Sequence, residues 1–319
     1  MDEFQLIEHF FRGRPLGAGV RLGPGDDAAV LVASAGHELL MTMDTLVSGR
    51  HFPEDLPPYD IGWRSLAVNL SDLAAMGADP RWCLLSLSLP QANQDWLAEF
   101  CRGFYALAEQ ESISLVGGDM VRGALQITIQ ASGEAPQGAA LLRSGAKVGD
   151  RICIGSANGS NDGQKGVGTR TPGDAALGLL HWQAGKREGA AVRHFARPQP
   201  QLALGRTLRG QASACIDISD GLLADLEHIV RESQVPGAAI ALDKLPLSSA
   251  LRAHPDPAQR IRLQLSGGDD YMLLFCLPAA HPLPSGCCEI GVITAEEGIS
   301  VYDESGDSVV IAERGWTHF

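Results

Sequence analysis

The sequence predicts a two-domain protein of mixed class, an α+β N-terminal half followed by an α/β C-terminal half. Three observations carry that prediction. A chain of 319 residues is long for one hydrophobic core and ample for two. Segments of period-two alternation are interleaved with segments of helical periodicity along its length. A turn-rich stretch at 133–138, renewed at 145–150, separates the halves. Domains are therefore expected at 1–138 and 139–319.

The elements follow in order. Residues 39–43 (Leu-Leu-Met-Thr-Met) read as a strand that delivers Asp44 at its end. Over 61–76 the apolar positions Ile61, Leu66, Leu70 and Leu73 keep helical spacing, with Asp60 as N-cap and Gly77 as the stop. Ser65, Asn69, Asp72 and Met76 then share one face of that helix, a polar stripe expected to face a site. Leu85, Leu87 and Leu89 alternate with Ser86 and Ser88, and Leu125, Ile127 and Ile129 with Gln126, Thr128 and Gln130, giving two strands. An amphipathic helix spans 96–110 between them. The second half opens on a strand at 151–154. The segment 156–170 is almost devoid of apolar residues and reads as a flexible Gly-rich loop, at most a lid. A helix with Pro172 near its first turn follows. A strand–helix unit spans 212–232, with Ser219 as N-cap and Leu222, Leu223, Leu226, Ile229 and Val230 as its buried stripe. A bend at Gly267-Gly268-Asp269-Asp270 leads into a last predicted strand ending near Leu277.

Composition narrows the function classes. With 45% hydrophobic and 20% charged residues this is an ordinary globular chain. A net charge of −13 argues against a nucleic-acid partner, which calls for a basic patch. The start, Met1-Asp2-Glu3-Phe4, leads into no apolar core of a secretory signal. No apolar run approaches the ~18 residues of a membrane span. Seven dispersed cysteines, without C-x-x-C spacing, fit reduced thiols in a cytoplasm.

The chemistry is carried by Gly-flanked and helix-borne aspartates: Asp26 and Asp27, Asp44, Asp72, Asp119, Asp217 and Asp220, Asp269 and Asp270. Singly, several have plain structural readings. Asp26 and Asp27 lie in a Gly-Pro-Gly turn, and Asp220 could cap a helix, although Asp217 has no such role. Together, without a cysteine or histidine cluster, they suit hard cations such as Mg²⁺, more than one of them, and hence phosphate chemistry. Competing motifs fail: Lys165 is followed by Gly166, so no P-loop forms, and no G-x-G-x-x-G, G-x-S-x-G or H-E-x-x-H is present.

With these clusters in order, the sequence resembles the thiamine-monophosphate kinase family of the aminoimidazole-ribonucleotide-synthetase-like superfamily. The resemblance rests on Gly23-Pro24-Gly25-Asp26-Asp27, Asp44-Thr45-Leu46-Val47 with His51-Phe52, and the run Ala67-Val68-Asn69-Leu70-Ser71-Asp72-Leu73-Ala74-Ala75-Met76-Gly77-Ala78. It continues through Gly117-Gly118-Asp119, Arg143-Ser144-Gly145-Ala146, Asp217-Ile218-Ser219-Asp220-Gly221, Ser266-Gly267-Gly268-Asp269-Asp270-Tyr271 and the terminal Gly315-Trp316-Thr317-His318-Phe319. It implies an N-terminal domain whose strands form a cross-dimer sheet or barrel, hence a homodimer. It implies Mg²⁺-dependent transfer of the ATP γ-phosphoryl group directly to thiamine monophosphate, giving thiamine diphosphate. The implied Mg²⁺ ligands are Asp27, Thr42, Met43 (through its backbone), Asp44, Asp72, Asp119, Asp217 and Asp220, with Asp44, Asp72 and Asp119 the most critical. Gly118, Asp119, Arg143 and Ser219 would contact ATP, and His51, Asp269 and Trp316 the acceptor. Asp269 stands where the family has Glu, and Met120 where it commonly has Thr; the 156–170 loop is an insertion. Trp316 could stack on a cationic ring or serve as a C-terminal core residue. The alternatives are another ATP-dependent phosphate-activating synthetase of the superfamily or a non-catalytic regulator that binds nucleotide and Mg²⁺.

Overall fold

The computed structural model describes residues 3–155, 170–310 and 315. The expected loop at 156–170 lies outside the described residues, apart from Arg170. Two compact units result, Met1–Leu73 with Ala78–Gly138 and Ala74–Gly77 with Ala139–Phe319.

In the first unit the elements run α1 (Glu3–Phe10), β1 (Val20–Leu22), β2 (Val30–Leu31), β3 (His37–Val47), α2 (Pro58–Ala75), β4 (Asp79–Leu89), α3 (Gln94–Gln110), β5 (Ser114–Arg122) and β6 (Gln126–Pro136). Strands β3 to β6 form a four-stranded sheet in the order β3-β6-β4-β5, antiparallel except for the parallel pair β4–β5. β1 and β2 pair with each other.

Asp44 sits inside β3 rather than at a strand end, because β6 supplies partners for all eleven residues of the strand. Alternation then sorts the side chains of β3. Leu40 and Leu46 are buried, while Leu39, Met41 and Met43 on the other face are exposed by 51%, 67% and 66%. Helix α2 begins at Pro58, whose fixed φ and missing N–H suit a first turn. Asp60 therefore lies within that turn and is not the N-cap. The helix stops where expected. Gly77 has φ +68°, Gly77 N–H donates to Ala74 O and Ala78 N–H to Leu73 O, the two bonds of a Schellman ending.

Helix α3 is capped by Asn93, whose side chain accepts from Trp96 N–H at 3.1 Å. It buries Leu97, Phe100, Phe104 and Leu107 completely, each worth roughly 1.5–3 kcal/mol. Against α2 it packs backbone to backbone. A Cβ on Gly62 would fall 2.1 Å from Phe100 O, and one on Gly103 1.9 Å from Tyr59 O.

The second unit contains β7 (Arg151–Gly155), α4 (Asp174–Gln183), α5 (Ala190–Ala196), α6 (Leu202–Leu208), β8 (Ala214–Asp217), α7 (Leu222–Glu232), β9 (Gly237–Ala241), α8 (Ser249–Arg252), α9 (Pro257–Ser266), β10 (Leu273–Leu277), β11 (Cys287–Thr294) and β12 (Gly298–Tyr302). Its six-stranded sheet has the order β12-β9-β11-β7-β10-β8, with only β12–β9 parallel. All five residues of β10 are buried. Ile152, Ile216, Leu226, Ile229, Ile240 and Leu274 join one core with the apolar stripe of α7. Gly221, not Ser219, occupies the N-cap of α7, and no side chain caps it there. The seven cysteines are free thiols. Among the described residues no helix is long and apolar enough to cross a membrane.

The α2–α3 contact yields a stability prediction. Gly103→Ala gains about 1 kcal/mol of helix propensity, but it drives a methyl into a carbonyl that the helix cannot move. Overpacking of this kind costs about 1–3 kcal/mol, so a net lowering of the unfolding midpoint is expected in a denaturant titration. A raised midpoint would show that the two helices separate freely.

Candidate functional site

In the first unit the polar stripe of α2 meets β3. Asn69, with no exposure, accepts Asp44 N–H on its Oδ1 at 3.1 Å and returns its amide N–H to Ser65 O, one turn earlier, at 3.1 Å. Thr42 Oγ1 donates a short hydrogen bond to Asp72. The period of two that turns Met41 and Met43 outward thus gives Thr42 and Asp44 to α2. His51 follows β3 in a tight turn. Its Nδ1 accepts Val47 N–H at 3.0 Å, which leaves Nε2 as the protonated nitrogen of the neutral ring.

Asp27, Gly118 and Asp119 line one cavity of about 1000 Å³, together with Arg12, Trp82 and Met41. Asp27 is exposed, and its N–H bonds to Asp26 Oδ1 at 2.9 Å. Asp119 is exposed on β5. Gly118 has φ +155°, and a Cβ there would lie 1.9 Å from Leu85 O. The glycine is demanded by the β4–β5 pairing itself, which leaves bare backbone next to Asp119.

In the second unit Asp217 ends β8 and is 3% exposed. The following 217–221 loop carries Ser219 and Asp220, both half-buried. Its N–H groups at Ser219, Asp220 and Gly221 all point to Asp225 Oδ2, at 3.0, 3.1 and 3.1 Å. Asp225 is 1% exposed. Burial, assisted by the Asp220 charge, pushes its carboxyl up to about 7 against the three opposing N–H donors. Asp269 N–H donates to Ser219 O and Tyr271 N–H to Ile218 O, both at 2.8 Å, so this loop is laced to the 267–271 turn. Asp269 and Tyr271 both lie in the left-handed region, φ +68° and +50°, which costs about 1–2 kcal/mol per residue. Tyr271 Oη reaches Asp269 Oδ1 at 3.1 Å. Asp270 between them turns inward to the start of α4. There it accepts Gly173 N–H (2.6 Å) and Ala175 N–H (3.1 Å), one on each oxygen.

Arg143 is exposed, and its carbonyl accepts Ser233 Oγ at 3.3 Å while Ser233 takes the N–H groups of Gly145 and Ala146. Gly315 lies against Ala224 and the Asp220 carbonyl, with no room for a Cβ. Trp316 lies outside the described residues.

Each unit thus gathers its own oxygen donors. Among the described residues no three His, Cys, Asp or Glu side chains converge closely enough to hold a metal unaided. The donor set is hard oxygen throughout, which suits Mg²⁺, an ion bound through one or two carboxylates with substrate phosphates and water completing its shell. Of the two buried carboxylates of this architecture, Asp225 escapes the sequence reading, and Asp270 is found there only as one of the Gly-flanked aspartates, without its backbone partners. For Asp225 a signal exists, an acidic residue in the first turn of a helix that starts on glycine.

Comparison with known proteins identifies relatives over the whole chain. The model of the AIR synthase related protein N-terminal domain matches residues 25–135. The thiamine-monophosphate kinase of Escherichia coli (strain K12) is 40% identical over 336 aligned positions, spanning 99% of this chain and 98% of its own. The crystal structure of the Stenotrophomonas maltophilia K279a thiamine-monophosphate kinase, 40% identical, superposes with a TM-score of 0.82 over 97% of this chain and 98% of that one. A solved complex, "AaThiL complexed with AMPPCP and TMP", is 29% identical with a TM-score of 0.77, covering 99% and 96%.

The buried carboxyl of Asp225 gives a pH prediction for the metal-free protein. Its value lies above the ~3.9 of an unfolded chain. Native protein therefore holds a proton there that unfolded chain has released, and this contribution is full below about pH 4 and lost as pH rises through about 7. Asp225→Asn has no such proton. Melting temperatures at pH 5 and pH 8 should show the variant gaining on its parent at the higher pH; a constant difference would refute the assignment.

Proposed function

The chain belongs to the thiamine-monophosphate kinase family, and we propose that it transfers the γ-phosphoryl group of ATP to thiamine monophosphate, giving thiamine diphosphate and ADP. The observation that carries this reading is the oxygen-rich contact of β3 with α2, where Thr42, Asp44, Asn69 and Asp72 meet with no histidine or cysteine among them. A relative holding AMPPCP and TMP together supports ATP and thiamine monophosphate as the reacting pair.

The acceptor needs no general base. A phosphate monoester has its second pKa near 6 and is mostly a dianion at neutral pH. The obstacle is repulsion between two polyanions, and Mg²⁺, when bound, supplies the positive charge that offsets it. Asp27, Thr42, the Met43 carbonyl, Asp44, Asp72, Asp119, Asp217 and Asp220 are the residues we assign to hold it. Exposed carboxylates such as Asp27 and Asp119 stay open to incoming ions, whereas Thr42 holds the Asp72 carboxylate in one orientation. Gly118, Asp119, Arg143 and Ser219 are assigned to ATP, with the Arg143 guanidinium available to phosphate oxygens. His51, Asp269 and Trp316 are assigned to the acceptor. Val47 N–H on His51 Nδ1 makes Nε2 the donor nitrogen of the ring.

The reading includes a homodimer in the cytoplasm. The exposed apolar row Leu39, Met41 and Met43 on edge strand β3 supports pairing between two copies across this sheet. A net charge of −13 speaks against nucleic acid as a partner.

Purified protein with ATP, Mg²⁺ and thiamine monophosphate should produce thiamine diphosphate, and a chelator should abolish the product until Mg²⁺ is restored. Asp72→Asn should lower kcat by about 100-fold or more with little change in melting temperature. A folded parent protein that forms no product in excess Mg²⁺ would sink the reading and favour a non-catalytic binder.

A further inference from the structure

The second unit contains two buried carboxylates that the reaction as described does not use. Asp225 is 1% exposed and Asp270 6% exposed, and neither is assigned to metal, nucleotide or acceptor. Their bonds run instead to backbone. Asp225 gathers three consecutive N–H groups of the 217–221 loop on Oδ2 alone. Asp270 spends one oxygen on Gly173 N–H and the other on Ala175 N–H. Each acts beside a residue of the assigned site: Asp217, Ser219 and Asp220 in the first case, Asp269 in the second.

We propose that Asp225 and Asp270 are the positioning residues of this half of the site, Asp225 fixing the loop that carries Asp217, Ser219 and Asp220, and Asp270 fixing the turn that carries Asp269. This rests on the function proposed above. Three N–H groups aimed at one acceptor set the loop's path through three successive residues. Without that acceptor they would point into a buried space with no compensation, and the loop would rearrange to reach water. At the turn, Asp269 and Tyr271 hold left-handed backbone, a conformation that persists only where the surroundings enforce it. Asp270, placed between them and tied to the first turn of α4, is that enforcement. The N–H bonds of Asp269 and Tyr271 to Ser219 O and Ile218 O then join the two supports.

The two carboxylates differ in how they are used, and the difference supplies the test. Asparagine keeps one acceptor oxygen and replaces the other by an NH₂ donor. It can reproduce the single-oxygen pattern of Asp225. At Asp270 it must set a donor against a backbone donor, so one bond is lost whichever way the amide turns. Asp225→Ala, Asp225→Asn and Asp270→Asn would be compared with the parent for melting temperature, for the KM of ATP and of thiamine monophosphate, and for binding of Mg²⁺ with ATP by calorimetry.

D225A should raise both KM values about tenfold or more, and D225N should restore them to within about twofold. D270N should raise the KM of thiamine monophosphate about tenfold despite the same conservative chemistry. A folded D225N as defective as D225A, or a D270N indistinguishable from its parent, would overturn the proposal. If D225A does not fold, D225N decides alone: parent-like constants support the acceptor role and impaired ones refute it. If D270N does not fold, Ala175→Pro reads the same support, because it removes an N–H that Asp270 accepts at a first-turn position of α4, where proline is tolerated; an unchanged KM of thiamine monophosphate then overturns the claim for that turn. A parent protein that binds ATP with Mg²⁺ but forms no thiamine diphosphate fails the function instead, and the calorimetric pattern across the variants still tests the positioning.

Discussion

A buried carboxylate accepting backbone N–H groups is the interaction on which this structure depends. Loops rich in glycine and aspartate carry few apolar side chains to anchor them, Ile218 being the one that 217–221 buries, and their acidic groups repel one another. They must be held by something that does not consume the charges on display. Asp225 does this for 217–221, Asp270 for the start of α4, and Glu134, 1% exposed, for Ser34, whose N–H and Oγ it accepts at 2.7 Å each while pairing with Arg81. Burial alone would raise the Glu134 carboxyl; Ser34 and Arg81 outweigh it and hold it below its usual range. Asp225 has no cation among its N–H donors, and its carboxyl moves the other way. The same device thus gives opposite proton affinities: at Asp225 burial outweighs the N–H donors, whereas at Glu134 the Ser34 bonds, and after them Arg81, outweigh burial.

Much of this was legible in the sequence, and the misses have physical causes. Alternation in Leu85, Leu87 and Leu89 and the stripe of α7 translate directly into buried faces, because burial periodicity is a local property. The polar stripe of α2 was legible for the same reason: Asn69 and Asp72 could face water only by breaking the phase of their apolar neighbours. Helix starts were less legible. Ser219 has the right chemistry for a cap, but Gly221 takes the position because the loop's N–H groups are already satisfied by Asp225. Asp60 lost its expected role to Pro58, which begins the helix two residues earlier. The Gly-Gly-Asp-Asp bend made Asp270 visible but not its role, since its partners at Gly173 and Ala175 lie almost a hundred residues away and only tertiary folding brings them near.

The acidic residues assigned to metal are spread over both units, and no three of the described carboxylates close on a point. Mg²⁺ takes one or two carboxylates and completes its shell with water and phosphate oxygens. A preassembled cage would bind the ion in the absence of nucleotide and bear the full repulsion of its own carboxylates before the ion arrived. Separate pairs, such as Asp72 with the Thr42 hydroxyl, hold each donor in place with a neutral partner.

Strand β3 has a further consequence, in the time domain of synthesis. Its partner β6 follows it by 79 residues at the near end of the pairing, Val47 with Gln126, and by 99 at the far end, His37 with Pro136. At translation rates of about 5–20 residues per second, β3 waits roughly 4–20 s for a partner. During that wait the strand offers unsatisfied backbone and an apolar row to any other nascent chain. Among the strands of this sheet β3 therefore waits longest for its partner, and the length of that wait is set by the ribosome rather than by stability.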